Sequence, residues 1–269
     1  VTAAFPVAAD GDGPPLLCLH GGPGLSDYLA DLGEETAGWR RISYTQRGLA
    51  PSPTDGPFTL AQHVADAITV LDDLGLDEAV VLGHSWGGFL AALLAAEHPD
   101  RVRGLLLVDP LGVVGDGGFG RFAEQMLART PDEDRRRADE LDRRAMAGQG
   151  TEADAVESLR LVWPAYFADP PTAPPMPDLR LGLAAYSATL EEVLALLASG
   201  ELPARAAACD QPVEVLYGLG SPFPVESALD TAAAFAQGRA TGVPDAGHFP
   251  WLEQPGCVAE ALHRLAQRL

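Results

Sequence analysis

The chain contains no lysine and no asparagine, and all 18 of its basic residues are arginine. The missing lysine removes the amine that an internal aldimine or any other Schiff-base chemistry needs. The missing asparagine removes every N-glycosylation sequon. Cysteine is scarce, with only Cys18, Cys209 and Cys257. An odd number at wide spacing is not a disulfide framework, and no cysteine–histidine cluster has zinc-site spacing. Basic charge is outnumbered, 18 residues against 38 acidic for a net −20. Such a field repels phosphates, which argues against a nucleic-acid or anionic-membrane partner and favours solubility. Long apolar runs are missing too. The longest, near FLAALLAAEH, is too short to span a bilayer. The opening VTAAFPVAAD lacks a basic region and an apolar stretch, so no signal peptide is expected and a cytoplasmic protein is.

What is present is a globular composition, 47% hydrophobic and 21% charged over 269 residues. That length suits one large domain, or a core with an inserted subdomain. Short apolar runs alternate with helical patterns. Strands are expected at 15–20, 41–46, 79–83, 104–109 and 212–218, with a short one at 239–243. Between 59 and 74, Leu60, Val64, Ile68 and Leu71 recur at helical spacing. Residues 85–98, 226–238 and 257–269 also read as helices. This rhythm predicts an α/β fold with a mostly parallel sheet covered on both faces. It breaks after residue 112, with a glycine-rich exit at 112–120, helices near 131–148, 152–163 and 187–200, and the proline-rich ADPPTAPPMPD at 168–178. The expected organisation is a core in two parts, 1–112 and 208–269, around a helical insert at 113–207. No internal repeat is visible.

Three stretches carry chemistry. In VLGHSWGG (81–88), Gly83-His84-Ser85-Trp86-Gly87 matches G-x-S-x-G between a predicted strand and a predicted helix. A strained turn there holds Ser85 at the sheet edge and at a helix N-terminus. The Trp86 backbone N–H is then free to meet an oxyanion. LHGGPG (19–24) follows a strand, and its glycines permit close backbone approach to a ligand. Pro23 has no N–H, which makes Gly22 the candidate for a second oxyanion donor. DAGHFPWLEQP (245–255) places His248 in a late loop able to reach back over the sheet as a base. The other five histidines suit structural positions.

Together these motifs resemble the α/β-hydrolase family, and HGGPG with SWGG is most similar to its proline-iminopeptidase-like branch. The resemblance spans nearly the whole chain, with the insert corresponding to a cap. It implies Ser85 as nucleophile, His248 as base and the Gly22 and Trp86 amides as the oxyanion hole. TQRG (45–48) resembles the DQRG of iminopeptidases, with Thr45 replacing aspartate. The segment LVWPAYFADP (161–170) does not reproduce the tryptophan–glutamate segment of iminopeptidase caps.

The base needs an orienting acid. The usual family position, the loop after strand 212–218, offers Gly220, Ser221 and Pro222 but no aspartate. Asp109 ends the strand GLLLVDP (104–110), at the sheet edge where sites of such sheets form. It is the preferred acid, with Asp116, Asp210 and Glu226 as alternatives. Asp245 reads as a turn residue. Phe119, Trp163, Tyr166, Phe167, Phe249 and Trp251 are candidates for an apolar substrate pocket, and packing is the competing role for each. The expected activity is serine hydrolysis of a small, largely apolar ester, thioester, lactone or amide, without metal or organic cofactor. An aminopeptidase, a cyclising or acyl-transferring enzyme, and a receptor-like binding protein are the alternatives. Nothing in the sequence speaks to oligomeric state.

Overall fold

Seven strands form one sheet in the order β1-β3-β2-β4-β5-β6-β7. They are β1 (Val7–Asp10), β2 (Pro15–Leu19), β3 (Arg40–Tyr44), β4 (Ala79–His84), β5 (Val102–Val108), β6 (Val213–Gly218) and β7 (Gly238–Val243). The structure, a computed structural model, describes residues 5–269, apart from the side chains of residues 30, 31 and 146. Part of the stretch that argues against a signal peptide, residues 1–4, lies outside the described residues. Among the described strands only β1 runs antiparallel, against β3; the other pairings are parallel.

Burial on both faces explains why the central strands read as unbroken apolar runs. In β2, Leu17 and Leu19 join a core cluster with helices α1 (Leu60–Asp73) and α2 (Trp86–Glu97). Leu16 and Cys18 point the other way, into a second cluster with α10 (Cys257–Ala266). The two-residue side-chain period splits one strand between two cores. Helix α2 is buried over nearly its whole length, including Phe89, Leu90 and Leu93. It therefore carries no amphipathic stripe.

Between β5 and β6 lie α3 (Phe119–Arg129), α4 (Asp132–Met146), α5 (Glu152–Val162), α6 (Leu183–Ser199) and α7 (Leu202–Ala207). After β6 come α8 (Val225–Ala234) and the short α9 (Pro250–Glu253). Thr151 and Asp154 form a capping box at the start of α5. Among the described residues no helix is long and apolar enough to cross a membrane.

From β2 the chain moves to β3 on one side and then returns to β4 on the other. The loops leaving β2 and β4 thus diverge from adjacent strand ends, with Leu19 beside Gly83 in register. Sites in open α/β sheets form at such a switch point, outside the carboxyl ends of the strands. The LHGGPG and HSWGG motifs meet there.

Candidate active site

Ser85 sits in the turn from β4 to α2 at φ 56° and ψ −122°, a conformation non-glycine residues rarely adopt. Its N–H donates to the Val108 carbonyl at 3.1 Å, and its own carbonyl accepts from Gly88 N and Leu111 N. The turn is thereby fixed by the end of β5 as well as by its own helix. Gly87 is required by close approach, because a Cβ there would run into the carbonyl oxygen of Leu19.

The glycine loop abuts the serine. A Cβ on Gly21 would lie 2.8 Å from Ser85 Cβ. His20 orients this loop. Gln46 N donates to His20 Nε2 at 3.0 Å, so the proton is on Nδ1, which donates to the Gly21 carbonyl at 3.0 Å. In a planar trans peptide the Gly22 N–H points opposite that carbonyl. Holding the carbonyl therefore sets the direction of the candidate oxyanion donor. Gln46 also donates to the His20 carbonyl and accepts from the Trp86 indole N–H, both at 2.8 Å. Next to it, Arg47 forms a buried two-point ion pair with Asp66, at 2.5 and 2.6 Å. The TQRG stretch is scaffolding for the two motifs.

Asp109 follows β5 at φ 40° and is 2% exposed. Its Oδ2 lies 2.5 Å from His248 Nδ1. Ser221 Oγ donates to the same oxygen at 2.5 Å, and Gly218 N–H donates to Oδ1 at 3.1 Å. Ser221, in the loop after β6, is thus a donor to Asp109 one strand away. Burial pushes the Asp109 carboxyl up from the ordinary carboxylate range, and the Ser221 and Gly218 donors pull against that rise. Burial also lowers the His248 imidazole, so the resting ring is neutral. Its Nδ1–H has the carboxylate to donate to.

The alternative acids lie elsewhere. Asp116 accepts from Gly118 N and Gly120 N at the start of α3. Glu226 lies in the first turn of α8. Asp210 is exposed beyond α7. Asp245 is an exposed turn residue at φ 51°.

The segment between β5 and β6 reaches the His248 loop directly. His248 N–H donates to the Tyr166 carbonyl at 2.8 Å. The Glu253 carboxylate accepts from Gly247 N at 2.6 Å and Ala168 N at 2.9 Å. Arg129 of α3 donates to the Gly220 carbonyl at 2.7 Å and to the Ser221 carbonyl at 3.3 Å.

Of the aromatic candidates, two stand against His248, and the Tyr166 ring is 5.3 Å from its imidazole. Phe249 lies 5.2 Å from the same ring. Trp163 packs on Phe249 at 4.8 Å and donates its indole N–H to the Pro174 carbonyl. Trp163, Phe249 and Trp251 line a cleft of about 120 Å³ with Tyr28 and Leu252. Phe167 is fully buried and stacks on Phe249, while Phe119 lies 6.3 Å from Phe122. Two rings beside the base were not singled out from the sequence. Phe223 is 5.4 Å and Phe122 6.4 Å from His248, and they stack on each other at 4.4 Å. Phe223 was legible as part of the loop holding Ser221. Phe122 follows Phe119 at helical spacing, but the glycines before it obscure the helix that carries both.

The family model for the alpha/beta hydrolase fold matches residues 14–255. A 2-hydroxymuconate semialdehyde hydrolase of Pseudomonas putida is 41% identical over 112 residues, which is 38% of each chain. A proline iminopeptidase of Lactobacillus delbrueckii subsp. bulgaricus is 38% identical over 109 residues, 37% of each chain. The match thus spans little more than a third of these curated relatives. The solved structure of VinJ superposes with a TM-score of 0.72 at 21% identity, covering 98% of this chain and 95% of the other. The sheet order, the turn at Ser85 and the family match agree, and the chain belongs to the α/β-hydrolase fold family.

Proposed function

We propose that the protein is a serine hydrolase that works through an acyl-enzyme. The observation that carries this reading is the buried His248–Asp109 hydrogen bond at 2.5 Å, at the same sheet edge as Ser85 in its strained turn. Ser85 Oγ attacks a substrate carbonyl as His248 Nε2 takes its proton. The resulting oxyanion meets the Gly22 and Trp86 N–H groups. His248 then gives the proton to the leaving group, which departs and leaves the acyl-enzyme. A water, deprotonated by His248, releases the acid and restores Ser85. Asp109 holds the imidazole tautomer and offsets the transient imidazolium charge.

The helices at 113–207 are the cap of this hydrolase. Phe122, Tyr166, Phe223 and Phe249 around His248 support an apolar acyl or leaving group. A small ester, thioester, lactone or amide suits them. The match to proline iminopeptidase supports one second reading, cleavage of an N-terminal proline amide.

A fluorophosphonate probe tests the chemistry. Wild type is expected to label and Ser85→Ala is not. Absence of labelling in wild type, or equal labelling of the variant, sinks the serine reading. Among p-nitrophenyl esters, lactones and proline arylamides, short esters are expected to turn over fastest. Preference for the arylamide would select the iminopeptidase reading.

A further inference from the structure

A half-buried side chain and a fully buried one, Tyr28 and His84, outside the Ser85, His248 and Asp109 set join the loops that carry them. Gly21 N–H donates to the Tyr28 hydroxyl at 2.8 Å. That hydroxyl lies 2.6 Å from His84 Nδ1, and His84 Nε2 lies 2.7 Å from the backbone carbonyl oxygen of His248. A carbonyl only accepts, so Nε2 bears the proton. In the neutral ring Nδ1 is then an acceptor and takes the Tyr28 O–H. Each bond of the chain has one possible direction, from Gly21 through Tyr28 and His84, and the chain ends on the backbone of the base.

The surroundings keep this chain neutral. His84 is 0% exposed, and burial, reinforced by neighbouring His248, holds its imidazole well below the ordinary range. Burial raises the Tyr28 phenol. The His84 and His248 ring centroids are 4.6 Å apart. A neutral ring at that distance does not oppose the imidazolium that forms on His248, whereas a charged one would. The chain is also tight at its other end. A Cβ on Gly21 would strike both the Tyr28 hydroxyl and Ser85.

We infer that Tyr28 and His84 are positioning residues, a hydrogen-bonded bridge that sets the spacing between the Gly21–Gly22 turn and His248. The inference rests on the serine hydrolase reading. It makes the variable position of G-x-S-x-G a structural tie between the oxyanion loop and the base loop. Preorganised donors gain their effect from being held before the charge develops. A bridge that holds both the donor turn and the base should therefore act on kcat rather than on substrate binding.

The test is p-nitrophenyl acetate hydrolysis by Tyr28→Phe, His84→Gln and the double variant, each assayed well below its own melting temperature. Removing one oxyanion donor typically costs about 10²–10³ in kcat, and loss of its support should cost about tenfold or more. Each single variant is expected to lose about 10- to 100-fold in kcat with KM within about twofold. The double variant should lose little more than the worse single variant, because the two act as one unit. Near-wild-type kcat in Tyr28→Phe overturns the bridge. So does a loss confined to KM, or a double variant whose losses multiply. Should Tyr28→Phe fail to fold, His84→Gln alone decides by the same split of kcat against KM. Wild-type fluorophosphonate labelling rates in the single variants defeat only the bridge. Failure of wild type to label defeats the serine reading and the bridge together.

Discussion

At the scale of residues, the chemistry depends on which group faces His248 Nδ1. Asp109 does so from the end of β5, where its backbone N–H donates to the Leu216 carbonyl at 2.6 Å. It is locked between two strands and needs no loop of its own. Ser221 then has a different task, donating to the carboxylate while accepting from Phe223 N at 3.1 Å. Asp109→Asn is expected to lose about 10³–10⁴ in kcat, the scale seen when a triad acid is replaced by its amide. Asp210→Asn and Glu226→Gln should stay within about twofold. Ser221→Ala should lose about tenfold, since one donor to the acid is removed while the acid itself remains. Steady-state kinetics on one ester checks all four. Near-normal turnover in Asp109→Asn would reassign the acid.

At the scale of elements, the sequence is most readable where burial is two-sided. Strands β2, β4, β5 and β6 stand within two residues of their expected positions because apolar runs bounded by turns leave little alternative. The edge strand β1 carries no such signal, since three of its four residues are exposed. The sequence suggests a glycine-rich exit at 112–120 and no helix from there to 131, where the structure has α3. Its apolar positions Phe119, Phe122 and Met126 do have helical spacing, but Gly115, Gly117 and Gly118 precede them and hide the start. Helix α6 begins at Leu183, four residues before the expected 187. The motifs around Ser85 and His248 were legible because they are local in sequence. The bonds that join them are not, since Tyr28 and His84 meet across 56 positions. Helix α10 shows the same limit. Buried Glu35 accepts from Gly256, Val258 and Ala259 N–H groups and caps that helix from 221 positions away. Its negative charge also suits the helix N-terminus. Glu35→Gln should lower stability by about 2 kcal/mol, because an amide cannot satisfy three donors with one oxygen. The urea midpoint should fall with an unchanged slope. No change in midpoint would mean the cap contributes nothing.

At the scale of the whole molecule, four of the six histidines are buried, and all four are held below the ordinary imidazole pKa. Burial does this for His20, His63, His84 and His248, with Arg47 adding to it at His63, which is lowered to about 3. A histidine with a depressed folded pKa contributes stability that is complete above the unfolded value near 6.5. That stability is lost as pH falls toward the folded value, because the unfolded chain binds the proton first. Asp109, raised to about 7, has the opposite sign and offsets His248, to which it is bonded. Three histidines remain. The unfolded state therefore binds more protons than the native state below pH 6.5, and stability falls with pH there. Urea denaturation between pH 7.5 and 5 should show stability level above about 6.5 and falling steeply below it. Replacing His63, which hydrogen bonds Thr189 at 3.1 Å, separates this cause from general acid sensitivity. His63→Gln should be less stable at pH 7.5 yet show a shallower acid slope. His263→Gln, at an exposed position, should keep the full slope. An unchanged slope in His63→Gln would show that proton binding by the buried imidazoles is not what makes the fold acid-labile.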